Sequence, residues 1–243
     1  MIPSLAGCFP GELAPYAALL RADEGGDALP GRALREAATV RALVERFAAA
    51  YPGAEPRAVA SFWSQWYFGA LVVPAVAAAL RLDRALPVAL DGVRLDLREN
   101  GTPAAFLLAH DGTGISAGEA VCDRLDALVE GHVAPLVAQL SALFGVPRRV
   151  LWTNAAAMID WTMRQAEACG GCAPGPLAAC RARLDARTDA RGRPNPMCGA
   201  VRRRARAEGD TCRKVCCLRY RLPGVPSCGD FCPIDEDRRR ADR

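Results

Sequence analysis

"AVASFWSQWYFGALVVPAVAAAL", Ala58 to Leu80, runs for 23 residues without a charge. A single bilayer crossing needs roughly 20 apolar residues. This stretch therefore decides whether the protein is built around a membrane span or a buried helix. Ser61, Ser64, Gln65, Pro74 and many weakly hydrophobic alanines argue against the span, and the sequence contains no second segment of the kind. The expectation is a core helix that kinks or ends near Pro74, where proline removes a backbone donor and crowds the preceding turn.

The rest of the chain can supply such a core. It has 243 residues, 51% hydrophobic and 24% charged. That excludes intrinsic disorder and suits one large domain, or one domain with a small appendage. Upstream, Leu34, Ala38, Leu43, Val44 and Phe47 fall near helical spacing, predicting an amphipathic helix from about Gly31 to Tyr51 that ends at "YPGAEP". Downstream, Val93, Leu95 and Leu97 alternate with Arg94, Asp96 and Arg98 between Asp91-Gly92 and Asn100-Gly101. Two tight turns flanking an alternating run predict a three-stranded antiparallel meander over about residues 87–110.

Ser116 and Glu119 form a capping box for a helix starting near Ala117. That helix carries Val121, Leu125, Leu128, Val129 and His132, and Pro135 bends or splits it. A further helix is expected from Pro147 to about Ala168, then a flexible break at "CGGCAPGP" (Cys169 to Pro176) and a short helix. Asn195 offers an N-cap with Pro196 at the first helical position. The expected class is mainly α with a small antiparallel β-meander (α+β). Residues 1–168 would form a helical domain, and residues 169–243 a cysteine-rich segment packed on it.

That last segment is chemically unusual. Five of the 11 cysteines fall between Cys212 and Cys232, and Cys216 and Cys217 are neighbours. "LAGC" (Leu5 to Cys8) imitates a lipoprotein cleavage box, but only four residues precede it and no apolar stretch leads in. The expected setting is a reducing cytosol, where clustered cysteines argue for metal or redox chemistry rather than disulfides. Four thiolates can saturate a [2Fe–2S] centre, two per iron. Structural zinc favours C-x₂₋₄-C knuckles, and an adjacent pair fits it poorly because neighbouring side chains diverge on a strand or a helix. Iron–sulfur, zinc and unrelated structural thiols all stay open on spacing alone. Positive charge gathers here too. Residues 200–243 carry 12 basic and 7 acidic side chains, a net of +5, against 19 and 20 elsewhere. This is either a solvated tail or an offset to something anionic.

"CCLRY" followed by "C…CP" resembles the C-terminal signature of the ferric-siderophore reductases of the FhuF type, Cys-Cys-x₁₀-Cys-x₂-Cys. "NPM" (Asn195 to Met197), "EGHVAPLVAQL" and "LWTN" (Leu151 to Asn154) resemble other parts of that family. The resemblance implies a [2Fe–2S] cluster on Cys216, Cys217, Cys228 and Cys232. It also implies one-electron reduction of a ferric siderophore to release Fe(II) in the cytoplasm, with an unknown electron donor and peripheral contact with the inner membrane. One departure stands out: Gly229, Asp230 and Phe231 separate the last two cysteines, where the family has two residues, and this makes Cys212 the substitute fourth ligand. Arg213, Lys214, Arg219 and Arg221 would stabilise a reduced, more negative cluster and attract an anionic ferric complex.

Other features read as structural. "CGGC" follows a helix instead of opening one, so it reads as a loop with two free thiols. Cys8, Cys122, Cys180 and Cys198 read as buried small hydrophobes. His110 and His132 read as satisfied structural histidines, and Trp63, Trp66, Trp152 and Trp161 as mainly core, with Trp152 the candidate to line a pocket. No phosphate loop, flavin fingerprint or nucleophile–base pair is visible. Two other functional classes remain: a zinc- or cluster-binding interaction module, and a siderophore-assembly protein. The basic tail lacks the interleaved aromatics that stack nucleic-acid bases, so no nucleic-acid partner is expected.

Overall fold

The uncharged stretch forms helix α2 (Pro56–Arg81), the axis of the core. From Ala58 to Leu80 only Gln65 and Trp66 escape full burial. Trp63, Tyr67, Phe68 and Leu71 are completely enclosed, each contributing about 1.5–3 kcal/mol on removal from water. Among the described residues it is the one helix long and apolar enough to cross a membrane, and protein covers most of that apolar stretch. The helix does not end at Pro74 but continues to Arg81. Burial on nearly every side outweighs the roughly 3 kcal/mol that an internal proline costs.

This computed structural model describes residues 1–114, 125–189, 191–203 and 211–234. Two 3-10 stretches (Pro3–Cys8 and Gly11–Leu19) lead into strands β1 (Leu20–Ala22) and β2 (Leu29–Pro30). A 3-10 turn (Gly31–Arg35) then precedes α1 (Ala37–Ala48). The single helix expected over residues 31–51 is thus broken at Glu36, whose backbone is extended. After α2 come β3 (Arg84–Ala85), β4 (Val93–Leu97), β5 (Pro103–Leu108) and β6 (Thr113–Gly114). Helix α3 (Asp126–Leu128) passes through a π-helical stretch (Val129–Val133) into α4 (Ala134–Phe144). Helices α5 (Arg148–Ala168) and α6 (Pro174–Asp185) follow, then β7 (Val201–Arg203) and β8 (Thr211–Arg213). The Ser116–Glu119 capping box lies outside the described residues.

The expected three-stranded meander is a two-stranded hairpin. Strands β4 and β5 pair antiparallel, but the main sheet is completed from the N-terminus in the order β1-β5-β4-β2. Strand β1 runs parallel to β5, with Leu20 opposite Phe106, and β2 runs antiparallel to β4. Residues before Gly92 cannot join this ladder because their backbone groups are engaged elsewhere. The Val88 carbonyl accepts from His132, and the Leu90 N–H donates to Gly131 O at 3.1 Å.

The hairpin turn depends on Gly101. Its φ is +77°, and a Cβ there would collide with the Leu43 carbonyl of α1. Its own carbonyl accepts a 3.0 Å hydrogen bond from the Trp63 indole of α2. Gly101→Ala should therefore cost roughly 2–3 kcal/mol through positive φ and backbone collision. An unchanged urea midpoint would contradict this.

Pro135 marks the site of the π-helical stretch. Proline has no N–H to give the carbonyl four residues back, which is that of Gly131, and this carbonyl accepts from Leu90 instead. The stretch buries His132 completely. Its Nδ1 lies 2.6 Å from Val88 O and must be the protonated nitrogen, since a carbonyl only accepts; Nε2 then accepts from the Tyr67 hydroxyl at 2.7 Å. The neutral ring is fully satisfied, so burial lowers its pKa from 6.5 to about 4. Above pH 6.5 the histidine is neutral in both folded and unfolded states. As pH falls from 6.5 towards 4, only the unfolded chain gains the proton, and stability drops by about 2 kcal/mol at pH 5. Denaturation midpoints at pH 7 and pH 5 check this, and a flat profile would contradict it.

Candidate metal centre

The segment after β8 abandons regular structure, which lets adjacent cysteines be aimed independently. Leu218 is one of two described non-glycine residues with positive φ, at +64°. This left-handed residue, before the 3-10 turn Arg219–Arg221, turns successive backbone N–H groups onto sulfur. Leu218 N–H donates to Cys216 Sγ at 3.3 Å, and Arg219 N–H donates to Cys217. Such a nest of amides favours negative charge. After the Pro/Gly insert the chain returns, and Cys228 Sγ lies 3.9 Å from Cys217 Sγ. Two thiolates at about 2.3 Å from one tetrahedral metal lie roughly 3.8 Å apart, so this pair has the spacing of shared ligation.

The extra residue before Cys232 is absorbed by a 3-10 turn (Gly229–Phe231). Gly229 takes φ +58°, and the Cys232 N–H donates to Gly229 O at 2.9 Å. Cys232 is buried, and its charge acts on both Cys216 and Cys228. Cys212 is also buried, on β8 opposite Arg202. Cys217 is pulled down to about 2 because Cys216 and Cys228 hydrogen-bond to it and Arg213 adds its charge. Cys216 and Cys228, as partners to that thiolate and partly buried, are pushed up. Among the described residues no three His, Cys, Asp or Glu groups converge as they would on a single ion. A dinuclear centre asks only for two thiolates per iron.

A buried polar relay ties this segment to the core. Arg213 is 3% exposed, and its Nη1 donates to Asn154 Oδ1 on α5. Asn154 Nδ2 donates to Ser64 Oγ at 2.9 Å and Ser61 O at 3.1 Å on α2. Ser61 Oγ donates to the Cys217 carbonyl at 2.8 Å. Buried side chains of α2 and α5 thus grip the cysteine loop by hydrogen bonds. Arg213 Nε is buried without a hydrogen-bond partner, and its charge lowers the pKa of both Cys217 and Cys228. An orphaned guanidinium N–H beside soft thiolates suits an anionic metal–sulfur group.

Beside the cysteines lies a cavity of about 620 Å³, whose wall includes Cys228, Arg213, Arg219, Trp66 and Trp161. The sequence reading is corrected here on tryptophan. Trp66 is 56% exposed and lines the cavity along with Trp161, whereas Trp152 is buried and does not line it. The four cations also divide. Arg213 and Arg219 border the cavity, Arg221 pairs with Glu55, and Lys214 is exposed.

The remaining candidates are structural. "CGGC" caps α5 as a loop, with Gly170 and Gly171 at positive φ and Cys169 exposed. Cys8 and Cys180 are buried, and burial pushes Cys8 up to about 11. Cys198, expected to be buried, is only half-buried, its thiol on Asp185 O at 3.3 Å, and Cys122 lies outside the described residues. Asn195 caps a turn, not a new helix: its Oδ1 accepts from Met197 N–H, while its Nδ2 donates to Arg183 O and Ala186 O at the end of α6. Arg149 of α5 donates to the Pro196 and Cys198 carbonyls, which fixes "NPM" against the core.

Sequence reasoning missed the relay of Ser61, Ser64 and Asn154. The available signal was their polarity inside otherwise apolar helices, because buried polar groups need partners.

Comparison with known proteins agrees with this construction. The family model described as "Ferric iron reductase FhuF-like transporter" matches residues 61–211, the helical body that grips the loop. The model "FhuF 2Fe-2S C-terminal domain" matches residues 213–233, from Arg213 to just past Cys232. A curated relative, the ferric siderophore reductase of Escherichia coli (strain K12), is 29% identical over 177 residues. That alignment covers 72% of this chain and 66% of the relative, just under two thirds of its length. The chain therefore belongs to the FhuF-like ferric iron reductase family and ends in that family's 2Fe-2S domain.

Proposed function

We propose that this protein is a ferric-siderophore reductase whose [2Fe–2S] cluster is held by Cys216, Cys217, Cys228 and Cys232. The observation that carries this reading is the 3.9 Å approach of Cys217 and Cys228 beside the orphaned N–H of Arg213. Cys216, which adjoins Cys217 and accepts the Leu218 N–H, and Cys232, buried directly after the 3-10 turn that follows Cys228, complete the set. When bound, such a cluster supplies one electron at a time, turning Fe(III) held by hard oxygen donors into Fe(II), which those donors hold less tightly.

The chain's own residues do the rest. The amides of Leu218 and Arg219 point at sulfur and stabilise added negative charge. Arg213 does the same through its desolvated charge. Helices α2 and α5 hold the loop still, so that little reorganisation accompanies electron transfer. The reading divides the chain into a helical body, residues 1–168, and a cluster-bearing segment, residues 169–243. It sets the protein in the cytoplasm, on or near the inner membrane, fed by an unknown electron donor. None of the ten described cysteines is in a disulfide, which suits that reducing compartment.

The test is direct. Protein purified without oxygen should be red-brown and bleach with dithionite. Adding a ferric trihydroxamate should restore the colour and yield Fe(II) that a ferrous chelator traps. A colourless protein carrying zinc would overturn the reading.

A further inference from the structure

The residues that separate Cys228 from Cys232 do more than lengthen the loop. The last of them, Phe231, is half-buried and closes the 3-10 turn directly before Cys232. Its ring lies beneath the guanidinium of Arg164 on α5, with Cζ 4.9 Å from the ring centroid. The face of an aromatic ring carries negative potential, and its attraction for a cation grows where water is excluded. Arg164 Nη2 is buried without a hydrogen-bond partner, and the Phe231 ring is the electron-rich surface set beside that guanidinium.

Arg164 is itself fixed. Its Nε donates to Asp160 Oδ2, one turn back on α5, at 3.1 Å. The same oxygen accepts the Thr211 hydroxyl of β8 at 3.0 Å. One carboxylate on a core helix therefore holds the start of the cysteine segment directly, and its end through Arg164 and Phe231. The loop between these anchors needs them. A Cβ at Gly224 or Gly229 would meet nothing within 4 Å, so the backbone is loosely packed at both glycines. Cys232 is tied to the terminal turn by its N–H on Gly229 O at 2.9 Å, so a shift of the turn carries its sulfur along.

We propose that Arg164 and Phe231 form a clamp that positions Cys232 as a metal ligand, resting on the ligand assignment above. Both are positioning residues, acting through the turn. The longer spacing in this chain introduces slack, and Phe231 supplies the anchor that removes it.

Chelator challenge tests this. Cluster-loaded protein, kept without oxygen, is mixed with excess of a strong iron chelator and the visible absorbance is followed. Phe231→Leu keeps an apolar side chain without the ring, and Arg164→Met keeps a stem without the charge; each should shed the cluster about tenfold faster, as expected when a group that orients a ligand is lost. Phe231→Tyr retains the ring and should match the wild type. Because the two residues act as a unit, the double variant should lose the cluster no faster than either single one. The g-values of the reduced protein should shift in both single variants and return in Phe231→Tyr. Phe231 lies outside the hydrophobic core, so the urea midpoint of metal-free Phe231→Leu should equal that of the wild type. If Arg164→Met does not fold, Phe231→Leu and Phe231→Tyr still decide the matter. A wild-type rate of loss and wild-type g-values in Phe231→Leu would overturn the clamp, and so would effects that multiply in the double variant. Zinc in place of iron in the wild type would remove the cluster reading, while the rate of zinc loss to a chelator in the same variants would still support or overturn the clamp.

Discussion

Cys232→Ser removes the visible chromophore, whereas Cys212→Ser keeps it. This is the largest effect expected, because a cluster missing one of four thiolates should fall about tenfold or more in occupancy. The two residues compete for the fourth position because Cys228 and Cys232 are separated by three residues where the family has two. The 3-10 turn Gly229–Phe231 takes up the surplus and leaves Cys232 buried within electrostatic reach of Cys216 and Cys228. Cys212 is held in the β7–β8 ladder, its backbone committed to register with Arg202. Iron and sulfide content of the two variants, purified side by side without oxygen, measures the difference. Loss of iron in Cys212→Ser alone would reassign the ligand.

Asn154→Ala should be the most damaging substitution that touches no cysteine. It strips the buried Arg213 of its amide partner and leaves Ser61 and Ser64 without the donor that bridges them. A buried charged group left short of a hydrogen-bond acceptor costs about 3 kcal/mol or more. Arg213→Met removes the charge together with its need for a partner, so it should cost less, about 1–3 kcal/mol for the stranded Asn154 oxygen. Its signature is electrical. A unit charge about 6–12 Å away at an effective dielectric near 20 is worth roughly 1.5–3 kcal/mol. For a one-electron couple this corresponds to a midpoint potential lowered by about 60–120 mV. Lys214→Gln and Arg221→Gln, at side chains exposed or paired with Glu55, should shift it far less. Potentiometric titration of the three variants checks the ordering, and an unchanged or higher potential in Arg213→Met would contradict it.

How much of this could be read from the chain alone depended on the range of the forces involved. The core helix was legible because 23 uncharged residues leave little alternative, whereas the cysteine spacing left iron–sulfur, zinc and structural thiols open and the four candidate ligands came from the family resemblance. Strands β1 and β2 were not legible. At three and two residues they are shorter than any alternating pattern, and only their partners in the β4–β5 hairpin make them strands. Val88 and Leu90 looked like strand residues, but the π-helical stretch claimed their backbone groups. Ser61 and Ser64 counted in the sequence only as evidence against a membrane span, although they support the metal centre. Arg213 looked like its neighbours Lys214, Arg219 and Arg221 because charge on a list has no address; burial alone distinguishes it. Trp66 and Trp152 sit in similarly apolar surroundings in the sequence, and only packing decides which of them meets the cavity.

The most direct measurement is the iron count and spin state of protein made and kept without oxygen. The account predicts about two iron and two sulfide per chain, silent in electron paramagnetic resonance when oxidised and giving a signal after uptake of a single electron. Zinc in place of iron, or a mononuclear iron without sulfide, would contradict it.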